Sequence, residues 1–136
     1  MEVRTISVAG ARVRVLALGD GARRDAALCI HGVGGWAENW RETLPAIAAT
    51  GRRAFAVDLP GFGESAAVRG ARYFDAARPF YATFVGEVID ALGLPRVHLV
   101  GHSLGGAVAF MGAAARPDRV RSLTLVAPAG LGDAIP

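Results

Sequence analysis

The run Leu99-Val100-Gly101-His102-Ser103-Leu104-Gly105-Gly106-Ala107 constrains the fold more than any other stretch, because it sets Gly-x-Ser-x-Gly between an apolar strand-like segment and an apolar helix-like one. A serine on so sharp a strand-to-helix turn takes a positive φ, and side chains two residues to either side would collide, so glycine is needed at 101 and 105. The expected product is an exposed hydroxyl at a helix N-terminus, where free backbone amides and the helix dipole favour developing negative charge. Ser103 is therefore the candidate nucleophile. His102 is expected to turn away from it, into a packing or supporting role. His98 reads as a histidine satisfied at the end of the sheet. The i, i+4 spacing of His98 and His102 does not suggest a metal pair, since that pairing needs a helix and these two straddle a strand and a turn. No metal and no cofactor are expected.

The flanking sequence predicts the architecture that would carry such a turn. Val3 to Val8 and Val13 to Leu18 are β-rich runs separated by Ala9-Gly10, which reads as a hairpin, with Arg12 and Arg14 on a face turned to solvent or a helix end. Ala26 to Ile30, Arg53 to Leu59, Val97 to Val100 and Leu123 to Ala127 are short, nearly continuous apolar runs, the pattern of parallel strands covered on both faces. Between them, Pro79 opens a helix with Phe80, Phe84, Val88 and Leu92 on one side and Gly93 at its stop. A second helix starts at Ser103, carries Leu104, Val108, Met111 and Ala115, and ends before Pro117. The expectation is a single α/β domain over residues 1–136. Its sheet would be mostly parallel and doubly wound, of about six strands, with an antiparallel N-terminal hairpin.

Composition removes several other classes. Val97 to Ala115 is uncharged and long enough to cross a membrane, but it holds His98, His102, Ser103 and several glycines and changes period midway, so it reads as strand, turn and helix. With 52% hydrophobic and 20% charged residues the chain is not of the disordered class. All 15 basic residues are arginine, scattered singly or in pairs, and only 7% of residues are aromatic, which argues against a nucleic-acid surface. The lone Cys29 lies in an apolar run and the first residues show no signal peptide, so a cytoplasmic location is expected, without nucleic-acid or membrane partners.

Two further motifs follow strand-like runs. His31-Gly32-Val33-Gly34-Gly35-Trp36 follows the third. Its glycines allow a loop to pass close to the serine with its amides exposed, so the Val33 N–H can join that of Leu104 in holding an oxyanion. Asp58-Leu59-Pro60-Gly61-Phe62-Gly63-Glu64-Ser65 follows the fourth, and Asp58 reads as a turn-forming aspartate rather than an acid–base group. Gly61-Phe62-Gly63 is not a dinucleotide fingerprint, because Ala66 occupies the third glycine position.

With these motifs in this order, the sequence resembles the N-terminal half of the α/β-hydrolase fold superfamily. The stretch Leu125 to Gly132 is similar to the segment after the sixth strand in C–C bond hydrolases and in the hydrolase-fold domain of acetoin dehydrogenase acyltransferases, although a chain without lysine has no lipoyl attachment site. The resemblance implies a serine hydrolase acting on a small-molecule ester, thioester, lactone or activated C–C bond. Ser103 would be the nucleophile, Val33 and Leu104 the oxyanion hole, and His31, Gly32, Gly34, Gly101, His102 and Gly105 the supporting residues. In this family the triad runs Ser, then acid, then His. No histidine follows Ser103, Asp118 lies just after the elbow helix, and only Asp133 is near a position where some members place the acid. The expectation is therefore an incomplete chain lacking its catalytic histidine, lid and C-terminal strands. Its exposed sixth strand would self-associate or pair with the missing half. The alternative is a non-catalytic ligand-binding or interaction module that keeps the fold.

Overall fold

The computed structural model describes residues 1–75, 77 and 79–130, so the Asp133 expectation lies outside the described residues. In chain order the elements are β1 (Glu2–Val8), β2 (Ala11–Leu18), β3 (Ala26–Ile30), α1 (Leu44–Ala48), β4 (Arg53–Val57), α2 (Phe80–Ala91), β5 (Val97–His102), α3 (Leu104–Ala115) and β6 (Val120–Val126). The first two strands pair antiparallel across a turn in which Ala9 and Gly10 have φ of 50° and 76°, the left-handed pair that matches the twist of a tight hairpin. The six strands form one sheet in the order β1-β2-β4-β3-β5-β6. β2 meets β4 antiparallel, while β4, β3, β5 and β6 run parallel.

β3 and β4 are buried nearly throughout because helices cover both of their faces. On one face, Phe84, Val88 and Ile89 of α2 and Leu104 and Val108 of α3 pack on Leu28, Ile30, Phe55, Val57 and Leu99. On the other, Leu44 and the flanking Ala37 pack on Leu16, Cys29, Ala54 and Ala56. Each helix presents apolar residues at three- and four-residue spacing to the sheet, which is what makes the amphipathic segments fold onto it.

Three expectations are corrected. β5 and β6 are not covered on both faces: His98 and Val100 are half-buried, and β6 alternates between half-buried and exposed positions. β6 also starts at Val120 rather than Leu123, since a strand bordering solvent accepts Arg121 and Ser122. Arg14 does not face solvent; β2 is buried along most of its length, and Arg14 goes in with it.

Because β3 leads to β4 on one side while β5 pairs on the other, the strand order reverses between β3 and β5. A cleft opens at such a reversal, beyond the C-terminal ends of the strands. Both the Ser103 turn and the loop beginning at His31 emerge there.

Candidate active site

Ser103 sits between β5 and α3 with φ 53° and ψ −119°, one of only three non-glycine residues with positive φ among those described. Its peptide is held from both sides by the end of β6 and the residues after it: the Ser103 N–H donates to the Val126 carbonyl at 3.1 Å, and the Ser103 carbonyl accepts from Ala129 N–H at 2.9 Å. The close packing of the turn explains its glycines. A Cβ at Gly101 would overlap the Gly105 carbonyl, and one at Gly105 would overlap the Ile30 and His31 carbonyls of the neighbouring strand.

The loop after β3 lies against this turn. A Cβ at Gly32 would come 3.0 Å from the Ser103 Cβ, so glycine there permits the loop to approach the serine. Gly34 has φ 74°, and the loop closes through Gly35 N–H to the Gly32 carbonyl at 3.0 Å. Among the described residues, no acceptor engages the N–H of Val33 or of Leu104. Gly32 to Gly35, Asn39, His102 and Ser103 enclose a cleft of about 400 Å³. A second cleft of about 240 Å³, bordered by His31, Asn39, Trp40, Thr43, His102 and Val126, adjoins it. His102 is exposed and borders both clefts. A groove of about 730 Å³ lined by Arg72, Asp75, Phe80 and Thr83 is larger but does not include Ser103.

His31 is buried beneath the loop with both ring nitrogens engaged. Nδ1 lies 2.6 Å from the Gly32 carbonyl and Nε2 accepts the Leu59 N–H at 2.9 Å. One partner is an acceptor and the other a donor, which fixes the neutral Nδ1–H tautomer. Burial holds its pKa below the usual histidine value, against the pull of the Gly32 carbonyl and Asp58. Asp58 is fully buried and structural: Oδ1 accepts Ala37 N–H at 2.6 Å and Oδ2 accepts Glu64 N–H at 2.8 Å.

A family profile described as alpha/beta hydrolase fold matches residues 26–136. The chain belongs to the α/β-hydrolase fold family. It is 45% identical over 106 residues to the dihydrolipoyllysine-residue acetyltransferase component of the acetoin cleaving system of Pseudomonas putida, covering 78% of this chain and 27% of that protein. It is 38% identical over 120 residues to a 2-hydroxy-6-oxo-6-phenylhexa-2,4-dienoate hydrolase of Burkholderia cepacia, covering 85% and 40%. Among solved structures it superposes on a predicted CIB-like hydrolase from Thermoplasma acidophilum with a TM-score of 0.84 and 28% identity, covering 93% of this chain and 62% of that one. A meta-cleavage product hydrolase from Pseudomonas fluorescens IP01 gives 0.80 and 28%, covering 93% and 45%. The chain spans 27–41% of the length of these and similar curated relatives.

Within this α/β-hydrolase frame, His98 is satisfied at the end of the sheet, as its sequence reading has it, whereas a second group, Arg14, departs from its reading. His98 is not near Ser103. It lies at the other end of β5, about 16 Å away by strand rise, where Nε2 meets Asp25 at 2.8 Å and Nδ1 meets Ser122 at 2.6 Å. With Arg52 also on Asp25 at 3.0 Å, that carboxyl is held down at about 2. The second group is Arg14, whose side chain sits among Glu38, Asp58 and Glu64 behind the loop. No local signal in the sequence marks it, since Glu38, Asp58 and Glu64 all lie more than twenty residues from Arg14.

Proposed function

We propose that this chain carries the nucleophile half of a serine hydrolase reacting through Ser103. The observation that supports this reading best is the positive-φ serine facing a glycine loop across a cleft, with two unengaged backbone N–H groups, Val33 and Leu104, on that loop and at the helix start. Ser103 Oγ attacks the substrate carbonyl carbon and loses its proton to a general base. The two N–H groups hold the resulting oxyanion, which is worth roughly 3 kcal/mol per donor in such sites. Collapse expels the leaving group with that proton, and water then releases the acyl group. Esters, thioesters, lactones and activated C–C bonds suit this chemistry, and the hydrolase names among the relatives support a small-molecule substrate.

None of the three histidines serves as the base: His31 is locked under the loop, His98 is at the far end of the strand, and His102 neighbours Ser103 in the backbone. The base is read as coming from outside residues 1–136, from chain that follows or from a partner joined at β6. A fluorophosphonate probe tests this. The 136-residue chain should label slowly, and the protein with its base supplied should label rapidly and stoichiometrically, with labelling lost in Ser103→Ala. Tight ligand binding in the cleft with no Ser103-dependent labelling in either form would favour the second reading, a binding module without turnover.

A further inference from the structure

We propose that Arg14 is a positioning residue that holds the Val33 loop from behind, and that its guanidinium sets the distance between that loop and Ser103. The inference rests on the reading that Val33 and Ser103 belong to one reacting centre, but its evidence is separate. Arg14 comes from β2 and touches neither cleft; its side chain is only 8% exposed. Its planar fork meets carboxylates from two different loops: Nη2 to Glu38 at 2.6 Å, Nε to Glu64 at 3.1 Å and Nη1 to Asp58 at 3.7 Å. One face of the fork lies 5.4 Å from the centre of the Trp36 ring. The backbone of Arg14 is tied into the same junction, its N–H donating to Ser65 Oγ at 2.8 Å and its carbonyl accepting Asp58 N–H at 3.0 Å.

Beside the local bonds of Gly35 to Gly32 and of Trp36 to Asn39, three tethers at the end of the Val33 loop lead to Arg14 or to a group that Arg14 neutralises. Trp36 stacks on it, Glu38 pairs with it, and Ala37 N–H donates to Asp58. Glu38 also pairs with Arg41, on the exposed side. Nε and Nη1 of Arg14 are sealed from solvent without a well-aligned hydrogen bond. A buried guanidinium left under-satisfied in this way is a poor device for stability alone, and an apolar side chain would do that work as well. What an apolar residue would not do is hold two acidic loops together. Without the cation, Glu38, Asp58 and Glu64 repel, and the loop is free to drift from Ser103. Lysine replaces the charge but not the fork.

Amide exchange on the 136-residue chain reads this directly and needs no turnover. In Arg14→Met, exchange at Gly35 and Ala37 should quicken at least about tenfold while Leu28 and Leu99 in the central strands change little, with Arg14→Lys intermediate. Should Arg14→Met fail to fold, Glu38→Gln removes one tether at the surface and should quicken Gly35 and Ala37 in the same selective way. Uniform acceleration at all four amides, or unchanged exchange at Gly35 and Ala37, overturns the proposal by assigning Arg14 to global stability. Failure of Ser103 labelling in the base-supplied protein would instead sink the hydrolase reading and leave this result standing.

Discussion

Ser103 stores strain that the rest of the turn must hold. At φ 53° an L side chain is disfavoured by about 1–3 kcal/mol, and the two hydrogen bonds to the end of β6 and the residues after it keep it there. Replacing Ser103 by glycine should therefore raise stability by about 1 kcal/mol in urea unfolding while removing the nucleophile; unchanged or lower stability would show that the turn is not strained. His31 makes an opposite demand, on protonation. Burial disfavours the charged ring and depresses its pKa, and charging it would also set an Nε2–H against the Leu59 N–H. The unfolded chain then binds more protons than the folded one below about pH 6.5, so the contribution of His31 is full above that pH and is lost as pH falls towards the folded value. His31→Gln should abolish this part of the pH slope, and should lower stability at pH 7.5 by about 1–3 kcal/mol through lost buried hydrogen bonds. A slope between pH 7.5 and 5.5 that is the same in both proteins would refute the assignment.

At the level of elements, the sequence carried the strand-helix order because short apolar runs and four-residue periodicity are local signals. β3 falls where its apolar run does, and α2 and α3 begin within a residue of their expected starts. Ser103, with its glycines and its positive φ, was legible for the same reason: steric demands at a tight turn are written into adjacent residues. Arg14 and His31 were not read in full, because their roles depend on partners in loops more than twenty residues away. The packing of α2 on α3 was equally invisible. Gly112 of α3 faces Val85 of α2 so closely that a Cβ would lie 2.5 Å from the Val85 Cβ. The helices approach only because one side chain is missing, and the sequence alone shows Gly112 as one more helix-weakening glycine. Gly112→Ala gains about 1 kcal/mol in helix propensity yet should still destabilise the protein by about 1–3 kcal/mol net through overpacking. Paired with Val85→Ala, which removes the two γ-methyls but keeps the Cβ at 2.5 Å, only part of that loss should return; a neutral single variant would mean that the two helices slide apart freely.

For the molecule as a whole, the sheet ends on two unlike edges. β1 carries Glu2 and Arg4, paired with each other, which blunts its open side against other strands. Among the described residues β6 pairs with β5 alone, and it runs for seven residues and exposes Val126 at 45%. Phe110 of α3 is 53% exposed. On the α1 side of the sheet, half-buried Val100 continues the apolar surface. Unpaired strand amides next to exposed apolar side chains are a template for another strand. The 136-residue chain is expected to self-associate through β6 at on the order of 100 μM, seen as dimers or larger species in sedimentation velocity. The amides of Leu123 to Val126 should become more protected as concentration rises. Val126→Lys puts a charge on that edge without touching the core, so it should return the chain to a monomer with its unfolding midpoint unchanged. A wild-type monomer at that concentration, with these amides already protected, would mean that the open edge is closed by some contact within the chain.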